Sequence, residues 1–448
     1  MCLFIALQKD ENTTYLILFF LVANTLYCWE LEVDYMCKKI SVEIKPTVHV
    51  YIARKLNNAD QTGGEKSFII EVKESNPSVY PNVCVPIAGV IEHYRNRGFN
   101  IVCSWDDSGE YIDKTHISHP LIINDYLDAK LLQSPLDKVW KFSTPEEISM
   151  FVDSICNEVS QRVTVAKGFL PGFEWCLNEV MDNVLQHSEA TYGYAMGQLL
   201  GQKKRLSICV FDNGRGIFNS LKGSKYTIET PLEAIEKALQ ECVTRDDLIG
   251  QGNGMWGLSR IVLSNAGLYS VSSDGATVGH KDGKPYKREF KGLRYELEGL
   301  GTTMIDFQLD YSKRIDIAEE LNGIKPVSLW LDGRENAEGE CIIRLSKESS
   351  GTGTRQAAIR MRNYAFNMLT EGKAKVIFDF DQVSAISSSY ADELLGKLVA
   401  KMGFSNFMNF FKIINTDTLQ RNIIDRSVQQ RMAQLYYDKS IPDDPDFV

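Results

Sequence analysis

The chain has 448 residues, of which 44% are hydrophobic and 24% charged, a composition typical of a soluble globular protein rather than a disordered or fibrous one. A chain of this length is expected to fold as two or three domains. Its formal net charge of −10 argues against a general nucleic-acid binder, which normally presents a basic face, so we expect no nucleic-acid partner.

Residues 1–35 form an apolar leader. Its run from Tyr15 to Trp29 has 15 residues, fewer than the roughly 20 that a membrane-spanning helix needs. Three interpretations stay open: a weak membrane anchor, a buried helix, or a translation start placed too early, with Met36 as the true beginning. We favour the last, because the globular pattern begins just after Met36. Membrane contact is expected only if residues 15–29 are a real anchor.

Residues 36–136 are predicted to be an N-terminal α/β region. Ser67 to Val72 and Phe99 to Trp105 have strand patterns, and Val83 to Arg97 between them has helical spacing. Such a unit implies a parallel pair of strands with a crossover helix. The single cysteines in these and later apolar segments, with no C-x-x-C pair, are typical of reduced buried thiols. We therefore expect a reducing, cytoplasmic location.

Residues 137–312 are predicted to be a second α/β domain. Ser143 followed by Glu146 is typical of a capping box that begins a helix, and a second helix is predicted at about Phe173 to His187. Asp-Gly turns are expected at 274–275 and 282–283. Strands are predicted at 139–142, 206–211 and 303–309, with further helices near 232–242 and 258–265.

Residues 316–448 are predicted to be a third unit. A helix at about Gly353 to Leu369 precedes the strand Lys375 to Phe380, a helix at about Tyr390 to Lys401, and a strand at Phe410 to Ile414. This layout is similar to that of residues 67–104, and an internal repeat stays open.

The first candidate site lies on the predicted helix of residues 173–187. Glu179 and Asn183 are four residues apart, so they lie one above the other, and His187 lies one turn further on. An Asn oxygen can ligate Mg²⁺, and a Glu can orient or deprotonate a nucleophile. A solvated helix face is the alternative, and the better one for E-x-x-x-N alone.

The second candidate site is the D-x-G-x-G segment formed by Asp212, Gly214 and Gly216 directly after a strand. A carboxylate at a strand end can accept a hydrogen bond from the amine of adenine, and the glycines let the backbone approach the ring. A tight turn is the alternative interpretation.

The third is the glycine-rich segment Gly252, Gly254 and Gly257, which leads into a helix. Backbone N–H groups at a helix start can bind phosphate. The segment also fits the Rossmann pattern G-x-G-x-x-G, but that motif should directly follow a strand, and here a charged segment precedes it. The fourth candidate is Thr302, which follows Gly301 at the entry of the last strand. Its hydroxyl could support Asp212 or the edge of adenine, and an ordinary glycine turn is the alternative interpretation.

In this order and spacing, the four elements resemble the Bergerat-fold ATPases of the GHKL superfamily, and most closely the anti-sigma-factor serine kinases and histidine-kinase catalytic domains. The resemblance implies an α/β sandwich that binds ATP and Mg²⁺. It implies that Asn183 holds Mg²⁺, Glu179 is the catalytic base, Asp212 reads adenine, and Gly252, Gly254 and Gly257 contact phosphates.

The segment 375–397 (KVIFDFDQVSAISSSYADELLGK) resembles the small STAS-like domains of prokaryotic signalling proteins. In their anti-anti-sigma relatives, a serine or threonine in D-S-S-G or D-S-T-G is phosphorylated. Here the Asp and the Gly are missing around Ser388 and Ser389. These serines are therefore either phospho-acceptors or N-caps of the following helix.

Together these patterns predict a Bergerat-fold ATPase domain flanked by small α/β units, the C-terminal one STAS-like. The chain is expected to be a Mg-dependent ATPase or protein serine kinase that regulates a protein partner or its own STAS-like domain. It is also a candidate homodimer. One alternative is a sensor histidine kinase, for which His116 and His119 are the nearby candidates but lack a long helix. A mechanical ATP clamp and a nucleotide-binding switch without turnover are the others.

Overall fold

The structure, a computed structural model, describes residues 2–10, 13–22, 25–32, 38–43, 48–73, 80–105, 114–126, 134–222, 224–243, 253–289, 301–373 and 375–437. The fold is a mixed α/β architecture with four sheets and flanking helices.

The described residues of the apolar leader form three β-strands. Strands β1 (Cys2–Asp10), β2 (Thr13–Val22) and β3 (Thr25–Glu32) form an antiparallel sheet. The helical interpretation of residues 15–29 is therefore wrong. Their many β-branched and aromatic residues favour strands. Among the helices of the described ranges, none has both the length and the apolar character to cross a bilayer.

The N-terminal unit, residues 38–105, is a parallel three-stranded sheet with two crossover helices, in the order β4-β5-β6. The predicted parallel pair and its helix are confirmed. The elements are β4 (Lys38–Glu43), α1 (Val48–Gln61), β5 (Ser67–Lys73), α2 (Pro81–Asn96) and β6 (Asn100–Trp105).

The central unit contains an eight-stranded sheet in the order β13-β12-β11-β14-β10-β9-β8-β7. Neighbours are antiparallel except β7 and β8. Its strands are β7 (Leu121–Ile122), β8 (Trp140–Phe142), β9 (Gly193–Leu200), β10 (Arg205–Asp212), β11 (Leu268–Ser273), β12 (Ala276–Lys281), β13 (Lys284–Glu289) and β14 (Thr303–Asp310). Its helices are α3 (Ile123–Tyr126), α4 (Pro145–Arg162), α5 (Phe169–His187), α6 (Gly216–Leu221), α7 (Pro231–Ala238) and α8 (Gly254–Ser264).

Two local predictions in the central unit have different outcomes. The Asp-Gly turns are confirmed, since Asp274, Gly275, Asp282 and Gly283 all have positive φ, as a type I′ hairpin turn requires. The predicted capping box at Ser143 and Glu146 is replaced by an N-cap one residue later: the hydroxyl of Thr144 accepts the N–H of Glu147. This shift places Pro145 in the first helical position, where its missing N–H costs nothing.

Helices cover both faces of the central sheet. The front face, carrying Ile208 and Val210 of β10 and Ile305 and Phe307 of β14, shares one core with α4, α5 and α8. The back face, carrying Cys209 and Phe211 of β10 and Tyr194 and Met196 of β9, shares a second core with α1 and α2. A Cβ at Gly89 of α2 would lie 2.5 Å from the ring of Phe211, so a glycine is needed where α2 crosses the sheet.

The C-terminal unit, residues 316–437, contains a parallel sheet in the order β15-β16-β17, the same strand order as in the N-terminal unit. Its strands are β15 (Glu340–Arg344), β16 (Lys375–Asp379) and β17 (Phe411–Ile414). Its helices are α9 (Ile317–Glu320), α10 (Leu329–Asp332), α11 (Leu345–Glu348), α12 (Arg355–Thr370), α13 (Ser388–Ala391), the π-helix Asp392–Gly396, α14 (Lys397–Met402), α15 (Phe404–Phe410) and α16 (Thr418–Tyr437).

The C-terminal unit is docked on the central unit through buried side-chain amides. Asn367 of α12 donates to the carbonyl oxygens of Ser160 and Val163, 2.8 Å each, and accepts the N–H of Val165 at 2.9 Å. Its side chain therefore satisfies backbone groups at the end of α4 that would otherwise be buried without partners.

Replacing Asn367 by Ala should lower the free energy of unfolding by about 1–3 kcal/mol or more. The reason is that the buried backbone groups of Ser160, Val163 and Val165 lose their hydrogen-bond partner. Denaturant unfolding of the full chain measures this. The matched control is Asn406→Ala, since Asn406 is exposed and donates only to the carbonyl of Met402; a change within about 0.5 kcal/mol is expected there. Equal losses in the two variants would contradict the docking role of Asn367.

Candidate functional site

A cavity of about 360 Å³ lies on the front face, between the second half of α5, the loop after β10 and the start of α8. We call it the front cavity. It brings together residues from three separate sequence motifs. The predicted site residues that line it are Glu179, Asn183, His187, Asp212, Gly216 and Gly254.

Helix α5 presents two different faces. Leu177, Val180, Met181 and Val184 are buried in the core, whereas the polar residues Glu179, Asp182 and Asn183 line the cavity. Burial, assisted by the charge of Asp182, raises the pKa of Glu179 to about 7. The Glu179 carboxyl can therefore both hold and release a proton near neutral pH.

Asn183 lies one helical turn after Glu179 and also lines the cavity. Its amide nitrogen is buried and has no hydrogen-bond partner among the described residues. Buried amides are normally satisfied, so Asn183 has bonding capacity left for a ligand. His187 lies one turn further, and its carbonyl oxygen accepts a 3.0 Å hydrogen bond from Nε of Arg215.

Asp212 is at the end of β10 and is 3% exposed. One carboxyl oxygen accepts the N–H of Gly214 at 2.8 Å. Burial raises the pKa of Asp212 to about 7, although hydrogen bonds from Gly214 and Thr303 oppose the rise. The Asp212 carboxyl is therefore a buried hydrogen-bond acceptor that faces the cavity and is held in place by Gly214 and Thr303.

The assignment of Thr302 is corrected by the strand geometry. Thr302 lines a different cavity on the back face, whereas Thr303 lines the front cavity and hydrogen-bonds Asp212. Neighbouring residues of a strand point to opposite faces. The register pairs Asp212 with Thr303, so the supporting hydroxyl belongs to Thr303.

Glycines allow the loop after β10 to pack closely. A Cβ at Gly214 would overlap the carbonyl oxygen of Ser188, one at Gly216 would overlap the Asp274 carboxylate, and one at Gly301 would overlap the carbonyl of Arg215. Gly216 also has a φ of +74°, a region that favours glycine. The D-x-G-x-G pattern thus has a steric reason at both glycine positions.

The residues of the glycine-rich segment have different surroundings. A Cβ at Gly254 would overlap the Glu179 carboxylate, whereas Gly257 packs against Trp175 and Leu321. Gly257 is not among the described residues lining the cavity, and Gly252 lies outside the described residues. Helix α8 begins at Gly254 with no side-chain cap from the described residues, and Asn253, Gly254 and Met255 at its start line the cavity.

Sequence reasoning missed Asp274 and Trp175. Asp274 was predicted only as a turn residue, but its carboxylate accepts the N–H of Phe218 at 3.2 Å and the hydroxyl of Ser273 at 3.0 Å. It therefore holds the start of α6 from the hairpin side. Trp175 lines the cavity one turn before Glu179, and its position on the Glu179 side of the helix could have identified it.

The charge of the front cavity is acidic. Glu179, Asp182 and Asp212 line it, and none of its described lining residues is Lys or Arg. An anionic ligand would therefore need a cation or backbone N–H groups to meet its charge.

The serines of the C-terminal unit have separate roles. Ser387, not Ser388 or Ser389, is the N-cap: its hydroxyl accepts the N–H of Tyr390 at 3.0 Å. Ser388 and Ser389 are exposed and are not among the described residues that line the front cavity. The capping interpretation of Ser388 and Ser389 is therefore wrong, and their interpretation as phospho-acceptors stays a prediction.

Ser387→Ala should lower the free energy of unfolding by about 0.5–2 kcal/mol, because the helix start loses its cap. The matched control is Ser388→Ala, which removes an exposed hydroxyl one residue later and should change stability by less than about 0.5 kcal/mol. Thermal unfolding of both variants measures the difference. A larger loss in the Ser388 variant would contradict the assigned cap.

His116 and His119 lie among the turns and bends of residues 115–119. His116 has a φ of +56°. Within the described residues 114–126, neither histidine therefore lies on a helix that could present it as a phospho-acceptor.

A protein-family model matches part of the C-terminal unit. No curated protein sequence matches the chain. Residues 358–420 match the family described as "STAS-like domain of unknown function (DUF4325)". This span begins within α12 and ends within α16, so the C-terminal unit contains a STAS-like domain of that family.

Proposed function

We propose that the front cavity binds ATP with Mg²⁺ and that the chain is a regulatory ATPase or protein serine kinase of the Bergerat type, coupled to its STAS-like domain. The observation that carries this proposal is the convergence of Glu179, Asn183 and Asp212 on one cavity of about 360 Å³. The volume falls within the range of about 300–1,000 Å³ typical of small-molecule sites.

Asp212 supports an adenine-binding end. Its carboxyl group is buried, faces the cavity and is held by Gly214 and Thr303. Such an acceptor suits an exocyclic amine, which donates hydrogen bonds and needs a fixed partner in a site with little water. Gly214 and Gly216 keep the neighbouring backbone close to the site.

The opposite end of the cavity suits phosphates. The start of α8 directs backbone N–H groups and the positive end of its dipole at this end. Because the described lining is acidic, we expect nucleotide binding to depend on Mg²⁺. The side-chain oxygen of Asn183 would ligate that ion, since Mg²⁺ takes oxygen ligands and keeps bonds to water and phosphate, whereas its unsatisfied amide nitrogen could donate to a phosphate oxygen.

Glu179 is the group suited to act on the nucleophile. With a pKa of about 7, it can accept the proton of a water or hydroxyl as that oxygen bonds to the γ-phosphorus and ADP leaves. The product is then inorganic phosphate or a phosphoserine, depending on which oxygen attacks.

The C-terminal unit contacts the helix that carries this chemistry. The carboxylate of Glu371 accepts the N–H groups of Gly168 and Leu170, at 2.9 and 3.4 Å, where α5 begins. Glu174 of α5 in turn accepts the N–H of Trp330 at 3.0 Å. A change at Glu179 or Asn183 that moves α5 would therefore reach the STAS-like domain directly.

Incubation of the full chain with γ-labelled ATP and Mg²⁺ tests the proposal. Label released as phosphate indicates an ATPase, and acid-stable label on the chain or on an added partner indicates a serine kinase. Acid-labile label on the chain would instead favour the histidine-kinase alternative. Bound ATP without label transfer would leave a nucleotide switch, and absence of ATP binding by calorimetry would overturn the proposal.

A further inference from the structure

A second cavity, of about 810 Å³, lies on the back face of the central sheet. We call it the back cavity. Helix α2 covers β9 and β10 on this face, and the cavity begins where that cover ends. Its floor is formed by β14, β11 and β12, and its wall by His49 of α1 and Asn82 of α2. It therefore lies between the N-terminal and central units and opens to solvent at the β12–β13 hairpin.

The floor of the back cavity contains a buried carboxyl group, that of Asp306. It sits in the middle of β14 and is 5% exposed. Oδ2 accepts a 3.1 Å hydrogen bond from the amide of Asn82, whereas Oδ1 is buried without a partner among the described residues. A half-satisfied buried carboxyl is costly. The sheet itself does not need it, because Cys209 and Ser270 occupy the paired positions on either side.

The other polar groups of the back cavity indicate what Asp306 would bind. Ser270 and Ser272 supply neutral hydroxyls, and Nδ1 of His280 is buried without a hydrogen-bond partner within the described ranges. No group of three or more metal-ligating side chains occurs in the described part of the chain. The partner of Asp306 is therefore better supplied by an organic N–H donor than by a metal ion.

The rim of the cavity carries the opposite charge. Lys281, Lys284 and Arg288 of the β12–β13 hairpin line it and are exposed, and Asp282 offsets one of these charges. Asp274 also lines the cavity, but its carboxylate already accepts hydrogen bonds from the N–H of Phe218 and the hydroxyl of Ser273. An acid on the floor and excess positive charge at the rim are complementary to a molecule with a cationic end and an anionic end.

We infer that the back cavity is a second binding site, for a small zwitterion that places an ammonium or guanidinium group on Asp306 and an anionic group towards Lys281, Lys284 and Arg288. The site lies on the opposite face of the sheet from the front cavity, and its occupation does not require a bound nucleotide. Its contact with Phe211 and Thr302 places it directly behind Asp212 and Thr303, so an occupant would act as an effector of the front cavity.

L-arginine is the probe that tests this class of ligand, with agmatine, which lacks the carboxylate, and L-norvaline, which lacks the guanidinium, as matched compounds. Calorimetry on the full chain without nucleotide should show arginine binding once per chain, and both matched compounds should bind more weakly. Asp306→Asn should weaken arginine binding by about 5- to 150-fold, because a guanidinium N–H would meet an amide donor.

Two controls separate this result from misfolding and from nucleotide chemistry. Asp306→Asn should keep the melting temperature of the parent, since the amide oxygen can still accept from Asn82. Asp310→Asn, on the same strand outside the described lining, and Asp212→Asn should both keep arginine affinity. Failure of arginine to bind, or equal binding by folded Asp306→Asn, would overturn the inference and leave the proposed ATP site untouched.

Discussion

Glu179→Gln should lower the rate of ATP turnover by ~10²–10⁴-fold, the usual contribution of a general base, while ATP remains bound. Glutamine has almost the same shape as glutamate, so the contact with Gly254 and the packing of α5 are kept. Single-turnover phosphate release and calorimetry on the same sample measure the two quantities. Unchanged turnover would place the base elsewhere, and loss of ATP binding would make Glu179 a binding residue.

The pH dependence gives an independent readout of the same residue. Because the folded-state pKa of Glu179 is about 7, the carboxyl is protonated and inactive as a base below that pH, and turnover should rise as pH rises through 7. Asp182→Asn is the matched variant on the same helix. It removes a charge that raises the pKa of Glu179, so its profile should move to lower pH with maximal turnover retained.

Sequence periodicity was sufficient for the helix that carries Glu179. The apolar spacing predicted residues 173–187, and the helix is Phe169–His187. It begins earlier because its N-terminus is satisfied by Glu371, about 200 residues away in sequence, and not by a local cap. Local patterns predict the interior of such a helix well, whereas its start depends on tertiary contacts.

The choice between Thr302 and Thr303 was available from the sequence and was missed. Thr303 is in phase with Ile305, Phe307 and Leu309, which form the buried front side of β14. Because side chains alternate along a strand, Thr303 lies on the same front face of the sheet as these residues. Asp212 lies on that face too, so Thr303 is the threonine that can contact it. The error came from using the motif G-T without the period of the strand that follows it.

Contacts between the units had no local signal. Asn367 is an ordinary polar residue within a helical pattern, yet it is fully buried against the end of α4. Gly89 similarly gives no indication in the sequence that Phe211 lies against it. The back cavity depends on the packing of α2 on the central sheet, since Asn82 of α2 forms part of its wall.

The loop that contains the adenine-reading candidate is tied to the N-terminal unit. The amide of Asn213 donates to the carbonyl oxygen of Gly89 at 2.8 Å, directly after Asp212 in the chain. An occupant of the back cavity that shifts α2 would therefore bias the position of Asp212. By linkage, nucleotide in the front cavity would change affinity for that occupant by the same factor.

Asp212→Asn should weaken ATP binding by about 5- to 150-fold, corresponding to the roughly 1–3 kcal/mol lost when a buried donor meets a donor. The amide oxygen of the variant can still accept the N–H of Gly214, so the loop after β10 should keep its conformation. Calorimetric titration with Mg-ATP measures the affinity, and an unchanged melting temperature verifies the fold.

Asp306→Asn is the matched control for this experiment, because the neighbouring strand carries a carboxyl of nearly identical burial on the opposite face. Asp212 is 3% exposed and Asp306 is 5% exposed, and burial raises the pKa of each to about 7. A general effect of replacing a buried carboxyl in this sheet would weaken ATP binding in both variants. Direct contact with adenine would weaken it only in Asp212→Asn, because only that side chain faces the front cavity. Equal ATP affinity in Asp212→Asn and the parent would remove the adenine assignment.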